Sequence, residues 1–331
     1  MDQTRSRRHV LTRSAALGTA LCATRWTLAQ SAWPVRPVRF VVPYPPGGAT
    51  DVCARLIGER LATRLGQPIL VENKGGAGGI LGTDTVAKAA PDGYTFTVAL
   101  STSLLINQFL FSKLPYDPQR DLALVSQIAV APVTLVVNPA IPAANATELL
   151  AYLKKNRGTS YGSWGPGSYA HLAGAYMSQA LDAGMSHVPY KGEAQMLQDL
   201  VGGQIGMAFA SAIGAKPFIE SRRLKVIGVT GEERMKVLPQ VPTLVEQGLK
   251  DDAYRVVGFV GMAAPARTPT EIVQRMAREV NAVVQQPEVR DKITEMGFSP
   301  VAGTPEAFTA AYRKDYPVWQ QLVKVSGARL D

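Results

Sequence analysis

Cysteine and histidine are scarce in this chain of 331 residues, which contains two cysteines and three histidines. Beyond residue 32 only Cys53, His171 and His187 remain. A single thiol cannot form an internal disulfide, so we expect Cys53 to lie on the buried face of a helix. The two histidines have no cysteine or carboxylate cluster at ligand spacing, and we therefore expect no metal site.

Long apolar runs and clusters of basic residues are also missing. Beyond the N-terminus no stretch of eighteen apolar residues occurs, so we expect no membrane insertion. Without residues 1–29, which hold five arginines and one aspartate, 30 basic and 25 acidic residues give a net charge of +5. These charges are scattered rather than interleaved with aromatic residues, which argues against nucleic-acid binding and leaves anionic ligands as the favoured class.

Motifs for catalysis and for cofactor binding are incomplete. A nucleophile elbow requires Gly-X-Ser-X-Gly, but Tyr161 stands two residues before Ser163 and Pro166 two residues before Ser168. Residues 75–82 approximate a dinucleotide-binding fingerprint, yet Leu81 replaces its third glycine and the segment does not follow the first strand. We predict no catalytic residue and no cofactor, and we do not expect an enzyme.

The N-terminus has the features of an export signal. A basic region containing Arg5, Arg7, Arg8 and Arg13 precedes a short apolar stretch, and small residues near 29–32 offer a cleavage site. Residues 6–11 approximate the twin-arginine pattern, so Sec and twin-arginine export both stay open. We predict an export signal over residues 1–32 and a periplasmic location.

After this signal, strand-like runs alternate with helical patterns, which is typical of α/β proteins with parallel sheets. Strands are predicted at 38–43, 69–72, 94–99, 124–130, 133–137, 160–162, 186–190, 204–210, 224–229 and 256–263. Helices are predicted at 51–65, 80–90, 147–156, 169–181, 193–202 and 213–221, with three more near the C-terminus. The first of these three should begin at a capping box, Thr268 to Glu271, and the others at Pro287 and Thr304. No break in composition separates domains, which favours two lobes joined by crossing strands.

The segment 41–51 joins a buried strand, a turn rich in proline and glycine, and a helix start. Such a joint leaves backbone N–H groups at the positive end of the helix dipole. The paired glycines Gly47 and Gly48 permit positive φ and let a ligand approach the backbone closely. A phosphate or carboxylate fits there, although an ordinary turn between strand and helix has the same pattern.

Four other joints resemble the first: residues 101–103, 162–168, 190–192 and 210–211 each follow a predicted strand. Because ligands of open α/β sheets bind at the carboxyl ends of strands, we expect these loops to form one polar pocket. His171 lies just inside a helix start, where it can orient the loop 163–168 or cap its helix.

Taken together, these segments resemble the periplasmic solute-binding proteins of tripartite tricarboxylate transporters, also called the Bug family. The resemblance extends over VVPYPPGGATD (41–51), the block 69–95, KLPYDPQRD (113–121), GSWGPGSYAHLAG (162–174), HVPYKG (187–192) and three later segments. It implies a type II periplasmic-binding-protein fold, with two α/β lobes joined by a hinge of crossing strands and a small carboxylate in the cleft. The lobes are expected at 33–134 plus 254–331 and at 135–253.

The resemblance also implies a ligand site, which departs from the family at three positions. Trp164 and Pro166 replace Ala and Asn, Ala210-Ser211 replaces Asp-Asn, and Phe259 replaces Trp. Trp164 is expected either to stack on the ligand or to pack against Tyr169, and Ala210 leaves an ammonium group without its carboxylate partner. The expected ligand-binding residues are Tyr44, Pro45, Gly47, Gly48, Thr50, Asp51, Ser101, Ser103, Ser163, Trp164, Gly165, Gly167, Ser168, His171, Tyr190, Lys191 and Ala210.

These observations together predict a monomeric carboxylate receptor that delivers its ligand to membrane transporter subunits or to a sensor kinase. Two alternatives stay open: a binding protein of another uptake system, and a secreted α/β enzyme.

Overall fold

The computed structural model describes residues 33–330, so the predicted export signal over residues 1–32 lies outside the described residues. The strands are β1 (Val38–Val42), β2 (Ile69–Asn73), β3 (Thr95–Leu100), β4 (Leu122–Ala131), β5 (Thr134–Val137), β6 (Ser160–Ser163), β7 (Ser186–Pro189), β8 (Met207–Ala210), β9 (Lys225–Val229), β10 (Gly258–Pro265) and β11 (Ser299–Pro300). The ten strands predicted from the sequence all occur, with ends within three residues of the predicted ones.

The nine predicted helices also occur close to their predicted positions. The helices are α1 (Ala49–Leu65), α2 (Ile80–Ala87), α3 (Asn107–Leu110), α4 (Ala146–Lys155), α5 (Tyr169–Ala180), α6 (Glu193–Val201), α7 (Ala212–Glu220), α8 (Asp252–Arg255), α9 (Thr270–Val284), α10 (Pro287–Glu295) and α11 (Pro305–Ser326). Two short helices, α3 and α8, were not predicted. A 3-10 turn (Ala77–Gly79) precedes α2 and a π-helical turn (Thr102–Ile106) precedes α3. In the described chain none of these helices is long and apolar enough to cross a bilayer.

Side-chain caps explain where several helices start. Asn145, Ser168, Ser211 and Thr304 each accept a hydrogen bond from a backbone N–H of the first turn of α4, α5, α7 and α11. The predicted capping box at Thr268 is wrong. Helix α9 starts at Thr270 after Pro269, and among the described residues neither a side-chain cap for α9 nor a partner for the buried Thr268 hydroxyl is found.

Residues 33–330 form two mixed β-sheets rather than the parallel sheets expected. The first has the order β11-β4-β10-β3-β1-β2 and the second β7-β6-β8-β5-β9. Strand β10 runs antiparallel to β3 and β4, and β5 runs antiparallel to β8 and β9. Strand β5 is antiparallel because it enters the second sheet directly after β4, without the crossover helix that keeps neighbouring strands parallel. Strand β11 is also antiparallel to β4.

The chain passes between the sheets twice, and hydrogen bonds join the two passages. The Val133 N–H, after β4, donates to Thr230 Oγ1 at 2.9 Å, and the Thr230 N–H donates to the Val133 carbonyl at 2.9 Å. On the return passage the Gly231 N–H donates to the Tyr254 carbonyl at 2.8 Å. These bonds form a narrow hinge between the two sheets.

Buried apolar faces hold the helices on the sheets. On α1, Cys53, Ile57 and Leu61 recur every four residues and are fully buried against the first sheet. Cys53 is thus a core residue, as predicted, and burial raises the pKa of its thiol to about 12. The C-terminal helix α11 follows the first sheet but packs on α5 of the second. There the ring centroids of Trp319 and Tyr169 are 5.7 Å apart.

Candidate functional site

Strand direction brings the carboxyl ends of six strands to one gap between the sheets. Strand β4 ends opposite the start of β10 (Ala131 with Gly258), and β5 begins opposite the end of β8 (Thr134 with Ala210). Because β1, β2 and β3 run in the direction of β4, and β6 and β7 in that of β8, the six strands β1, β2, β3, β6, β7 and β8 end, like β4, at the edge that faces the other sheet. The loops that were predicted to bind a ligand follow these strands.

The loop after β1 is held by a buried carboxylate inside it. Asp51 accepts hydrogen bonds from the Gly47 N–H at 2.8 Å, Asn73 Nδ2 at 2.9 Å and Arg55 Nε at 3.1 Å. Burial alone would raise the pKa of Asp51, but the hydrogen bonds from Arg55, Gly47 and Asn73 hold it below its usual value. Asp51 therefore shapes the loop with its charge.

Gly47 and Gly48 have different backbone conformations, which corrects one expectation. Gly47 has φ +82°, the left-handed region that glycine adopts most easily, whereas Gly48 has φ −72° and is extended at the start of α1. A Cβ on Gly48 would meet only the Pro45 carbonyl, at 3.7 Å. Pro45 and both glycines are exposed, and Thr50 is buried behind them.

Tyr44, Ser103 and Gly79 meet at the ends of β1, β2 and β3. The Tyr44 hydroxyl lies 3.2 Å from Ser103 Oγ and accepts a hydrogen bond from the Leu100 N–H at 3.3 Å. Burial raises the pKa of Tyr44 to about 12, so the phenol stays protonated. A Cβ on Gly79 would lie 3.0 Å from Ser103 Cβ and 3.2 Å from the Tyr44 hydroxyl.

The glycine-rich segment 75–79 therefore belongs to this group. As a ligand loop, residues 75–79 indicate from sequence only an incomplete dinucleotide motif, because the contact with Ser103 joins loops far apart in the chain. Asn107 adds to the contact by donating to the Gly78 carbonyl at 3.1 Å.

Two helix N-termini open into the gap from this side. Within residues 33–330 no side chain caps α1 at Gly48 or α2 at Gly79. The first N–H groups of α1 are thus available to an anion, which the positive end of the helix dipole also favours. At the start of α2 the Ile80 N–H already donates to the Ala77 carbonyl of the 3-10 turn. Ser101 is turned inward, since its buried hydroxyl accepts a hydrogen bond from the Phe259 N–H at 3.4 Å.

On the other side of the gap, the loop 163–168 is tied together by its own hydroxyls. Ser163 Oγ lies 2.7 Å from His187 Nε2 and accepts a hydrogen bond from the Gly165 N–H at 3.2 Å. Ser168 donates to the Gly165 carbonyl at 2.6 Å and caps α5 by accepting from the His171 N–H at 3.4 Å. The loop is therefore formed before any ligand arrives.

His171 and His187 support this loop as a stacked pair. Their ring centroids are 4.0 Å apart with the planes 13° from parallel, and the Gly167 N–H donates to His171 Nδ1 at 3.1 Å. Burial, together with the neighbouring His187, lowers the pKa of His171 to about 4, and burial also lowers the pKa of His187. His171 thus orients the loop as a neutral acceptor, one of the two roles that its position predicted. His187 was not among the predicted site residues.

Trp164, Tyr190 and Lys191 differ in how firmly they are held. Trp164 is half-buried against two apolar clusters, while the ring of Tyr169 packs edge-on against Phe209 and Trp319. The Tyr190 hydroxyl donates to Asp199 Oδ2 at 2.9 Å, and burial followed by this carboxylate raises the pKa of Tyr190 to about 12. Lys191 is exposed.

Ala210 is fully buried in the core, and its carbonyl accepts a hydrogen bond from Thr134 Oγ1 at 2.9 Å. Next to it, Ser211 binds a carboxylate that the sequence argument missed. Glu193 Oε1 accepts from the Ser211 N–H, and Glu193 Oε2 accepts from Ser211 Oγ at 2.7 Å. Helix α6 thus places a carboxylate beside Ser211, eighteen residues away in the chain.

A separate cavity of about 450 Å³ lies at the hinge, away from these loops. It is lined by Gln127, Thr230, Val257 and, from α11, Lys314 and Asp315. Burial raises the pKa of Asp315 to about 6. No group of three or more histidine, cysteine or acidic side chains that could hold a metal ion occurs in the described part of the chain.

Comparison with known proteins identifies relatives along nearly the whole chain. Residues 53–327 match the family described as tripartite tricarboxylate transporter family receptor. The UPF0065 protein in the tcbD-tcbE intergenic region of a Pseudomonas species is 35% identical over 294 residues, covering 88% of this chain and 87% of the relative. BugT of Bordetella pertussis is 32% identical over 300 residues, covering 90% and 91%.

Two solved structures are similar over comparable lengths. An R. palustris protein with adipate has a TM-score of 0.76 and 32% identity, covering 90% of this chain and 100% of that one. MatC from Rhodopseudomonas palustris with bound malate has a TM-score of 0.71 and 32% identity, covering 88% and 100%.

Proposed function

This chain belongs to the TctC, or Bug, family of periplasmic solute-binding proteins, and we propose that it captures a small organic carboxylate between the loops of its two sheets. Members of this family are binding proteins rather than enzymes. The observation that carries the proposal is the uncapped N-terminus of α1 at Gly48, which follows β1 at the gap within the described residues. Such N–H groups bind an anion without needing an arginine.

The two similar structures support the choice of ligand class, because one contains adipate and the other malate. We propose that the carboxylate lies against the loops 44–50, 76–79 and 101–103, and that the loop 163–168 with Tyr190 and Lys191 covers it from the other side. Asp51, Ser101 and His171 act here as positioning residues, since their polar atoms already have internal partners.

The lobe boundaries follow from the same proposal. We propose a first lobe of 33–134 plus 254–331 and a second of 135–253, which is supported by the way the strands divide between the two sheets. The protein is exported by a cleaved signal, acts as a monomer and delivers its ligand to membrane transporter subunits or to a sensor kinase.

Calorimetric titration of the purified protein with adipate, malate, succinate and citrate tests the proposal. We expect one molecule bound per chain, with the same affinity before and after treatment with EDTA. Strict dependence on a divalent ion, or no binding of any carboxylate, would contradict it. Native mass spectrometry of freshly purified protein identifies a ligand that is carried through purification.

A further inference from the structure

Glu193 places a carboxylate at the N-terminus of α7, where it contacts Ser211 and lies beside Gly214. Both of its oxygens accept hydrogen bonds from Ser211, whose hydroxyl in turn caps the Gly214 N–H at 3.1 Å. Gly214 provides the space, because a Cβ there would lie 2.8 Å from Glu193 Oε2 and 3.0 Å from Leu197 Cδ1. The Ser211 hydroxyl and N–H thus fix the Glu193 carboxylate, and Gly214 leaves room for it because it has no side chain.

This carboxylate has no cation beside it. None of the ion pairs among residues 33–330 involves Glu193, and Lys191, two residues before it, is exposed without an ion pair of its own in that range. Glu193 itself is half-buried. Its oxygens have hydrogen-bond donors in Ser211 but no counter-charge in the described chain, and a cation or donor on a ligand would supply one.

The position of Glu193 in the fold indicates that a ligand in the gap between the sheets could be its partner. Helix α6 begins after β7 and α7 begins after β8, and both strands end at the gap between the sheets. The second side of the gap therefore has a fixed negative charge where its helix N-terminus would otherwise attract an anion. The first side has the uncapped N-terminus of α1, whose helix dipole favours an anion.

We propose that Glu193 determines specificity at the far end of the ligand: it repels a second carboxylate and favours an ammonium group or another hydrogen-bond donor. This inference rests on the proposed function, in which the first carboxylate of the ligand lies against the N-terminus of α1. The ligand class is then a carboxylate whose other end is cationic or a donor, rather than a symmetrical dicarboxylate.

Calorimetry with two matched probe sets tests this inference. The six-carbon set is adipate, its monoamide and 6-aminohexanoate, and the four-carbon set is succinate, succinamate and 4-aminobutyrate. In wild type the amino acid or monoamide should bind more tightly than the dicarboxylate of the same length. In Glu193→Gln the ratio of dicarboxylate to amino-acid affinity should rise about tenfold or more, because a like-charge repulsion is removed.

Glu193→Gln keeps the contacts of the wild type, since the amide oxygen can accept from the Ser211 N–H and the amide nitrogen can donate to Ser211 Oγ. Glu193→Ala is a second variant that removes the charge if the first folds poorly. The matched control is Glu220→Gln at the exposed end of α7, which changes the net charge equally and should leave the ratio unchanged. A purely structural role for Glu193 would lower the melting temperature without moving this ratio.

The outcomes separate the inference from the proposed function. If wild type binds none of the six probes and no other carboxylate, the proposed function fails and the inference fails with it. If wild type binds them but the affinity ratio is the same in wild type and both Glu193 variants, only the inference is overturned. A wild type that prefers the dicarboxylate of either set also overturns it.

Discussion

The adjacent glycines Gly47 and Gly48 have different roles, one in backbone conformation and one in access to the helix N-terminus. Substitutions at the two positions can distinguish these roles. Gly47 adopts a positive φ, so a side chain there strains the backbone, whereas Gly48 has an ordinary φ and open space around its Cα. We expect Gly47→Val to lower the free energy of unfolding by about 1 kcal/mol or more. We expect Gly48→Val to leave stability almost unchanged but to weaken carboxylate binding at least about tenfold, because it obstructs access to two or more N–H donors.

Urea denaturation and calorimetry of the two variants test this expectation, with Gly48→Ala as a smaller substitution at the second position. If Gly48→Val bound the carboxylate as tightly as wild type, the N-terminus of α1 would not be part of the site.

The stacked histidines predict how stability changes with pH. In the unfolded chain a histidine takes up a proton near pH 6.5, whereas folding lowers the pKa of His171 to about 4. Between these values the unfolded state binds more protons, so the free energy of unfolding falls as the pH falls from 6.5 towards 4. At pH 7.5 His171 is neutral in both the folded and the unfolded chain, so its titration costs no stability. At pH 5 protonation of His171 in the unfolded chain should by itself lower the free energy of unfolding by about 2 kcal/mol.

His171→Asn is the matched variant, because its amide oxygen can accept from the Gly167 N–H as Nδ1 does but cannot titrate. Urea denaturation of both proteins at pH 7.5 and pH 5 isolates the contribution, since every other group titrates in both. An equal loss of stability in wild type and His171→Asn would show that His171 is not the group responsible.

At the scale of the elements, sequence patterns located nearly every strand and helix but not how they assemble. Alternation of apolar runs with helical patterns has the same appearance whether a strand enters its sheet parallel or antiparallel, which is why β5 and β10 were misread. Strand β11 has two residues and helix α8 four, too short for any periodicity to emerge.

The candidate site shows the same limit. The loops after β1 and β6 could be identified because each contains its own turn residues and helix start. Gly79, His187 and Glu193 could not, because each acquires its role from a partner elsewhere in the chain: Ser103, Ser163 and Ser211. A single sequence shows which loops are suited to a ligand, but the contacts between loops arise only in the folded structure.

Helix α11 links the two sheets, and its contact with α5 should contribute strongly to stability. Trp319 is fully buried, with its ring edge-on to Tyr169, and the Tyr169 hydroxyl donates to the Ala253 carbonyl at 2.9 Å. We expect Trp319→Ala to lower the free energy of unfolding by about 3–5 kcal/mol. Trp319→Phe should lower it less, because part of the ring is kept.

Urea denaturation measures both losses, and Gln320→Ala, at an exposed position on the same helix, is the control expected to change stability by less than about 0.5 kcal/mol. If Trp319→Ala matched this control, the packing of α11 on α5 would not stabilise the fold.

At the scale of the whole molecule, the gap between the sheets and the narrow hinge together predict closure on the ligand. The two passages of chain at Val133 and Thr230 are joined to each other by hydrogen bonds, and we expect the sheets to rotate about them. We expect a carboxylate bound at α1 to gain contacts with the loop 163–168 as the gap narrows, and this difference in contacts favours the closed state.

Small-angle X-ray scattering with the tightest-binding carboxylate at saturation should therefore give a smaller radius of gyration than the free protein. Gly48→Val at the same ligand concentration is the control, because its binding is weakened while its fold is kept, and it should scatter like the free wild type. Calorimetry under the same conditions establishes saturation. Identical scattering curves for free and saturated wild type would show that the ligand binds without closure, and the hinge would then serve only to connect the sheets.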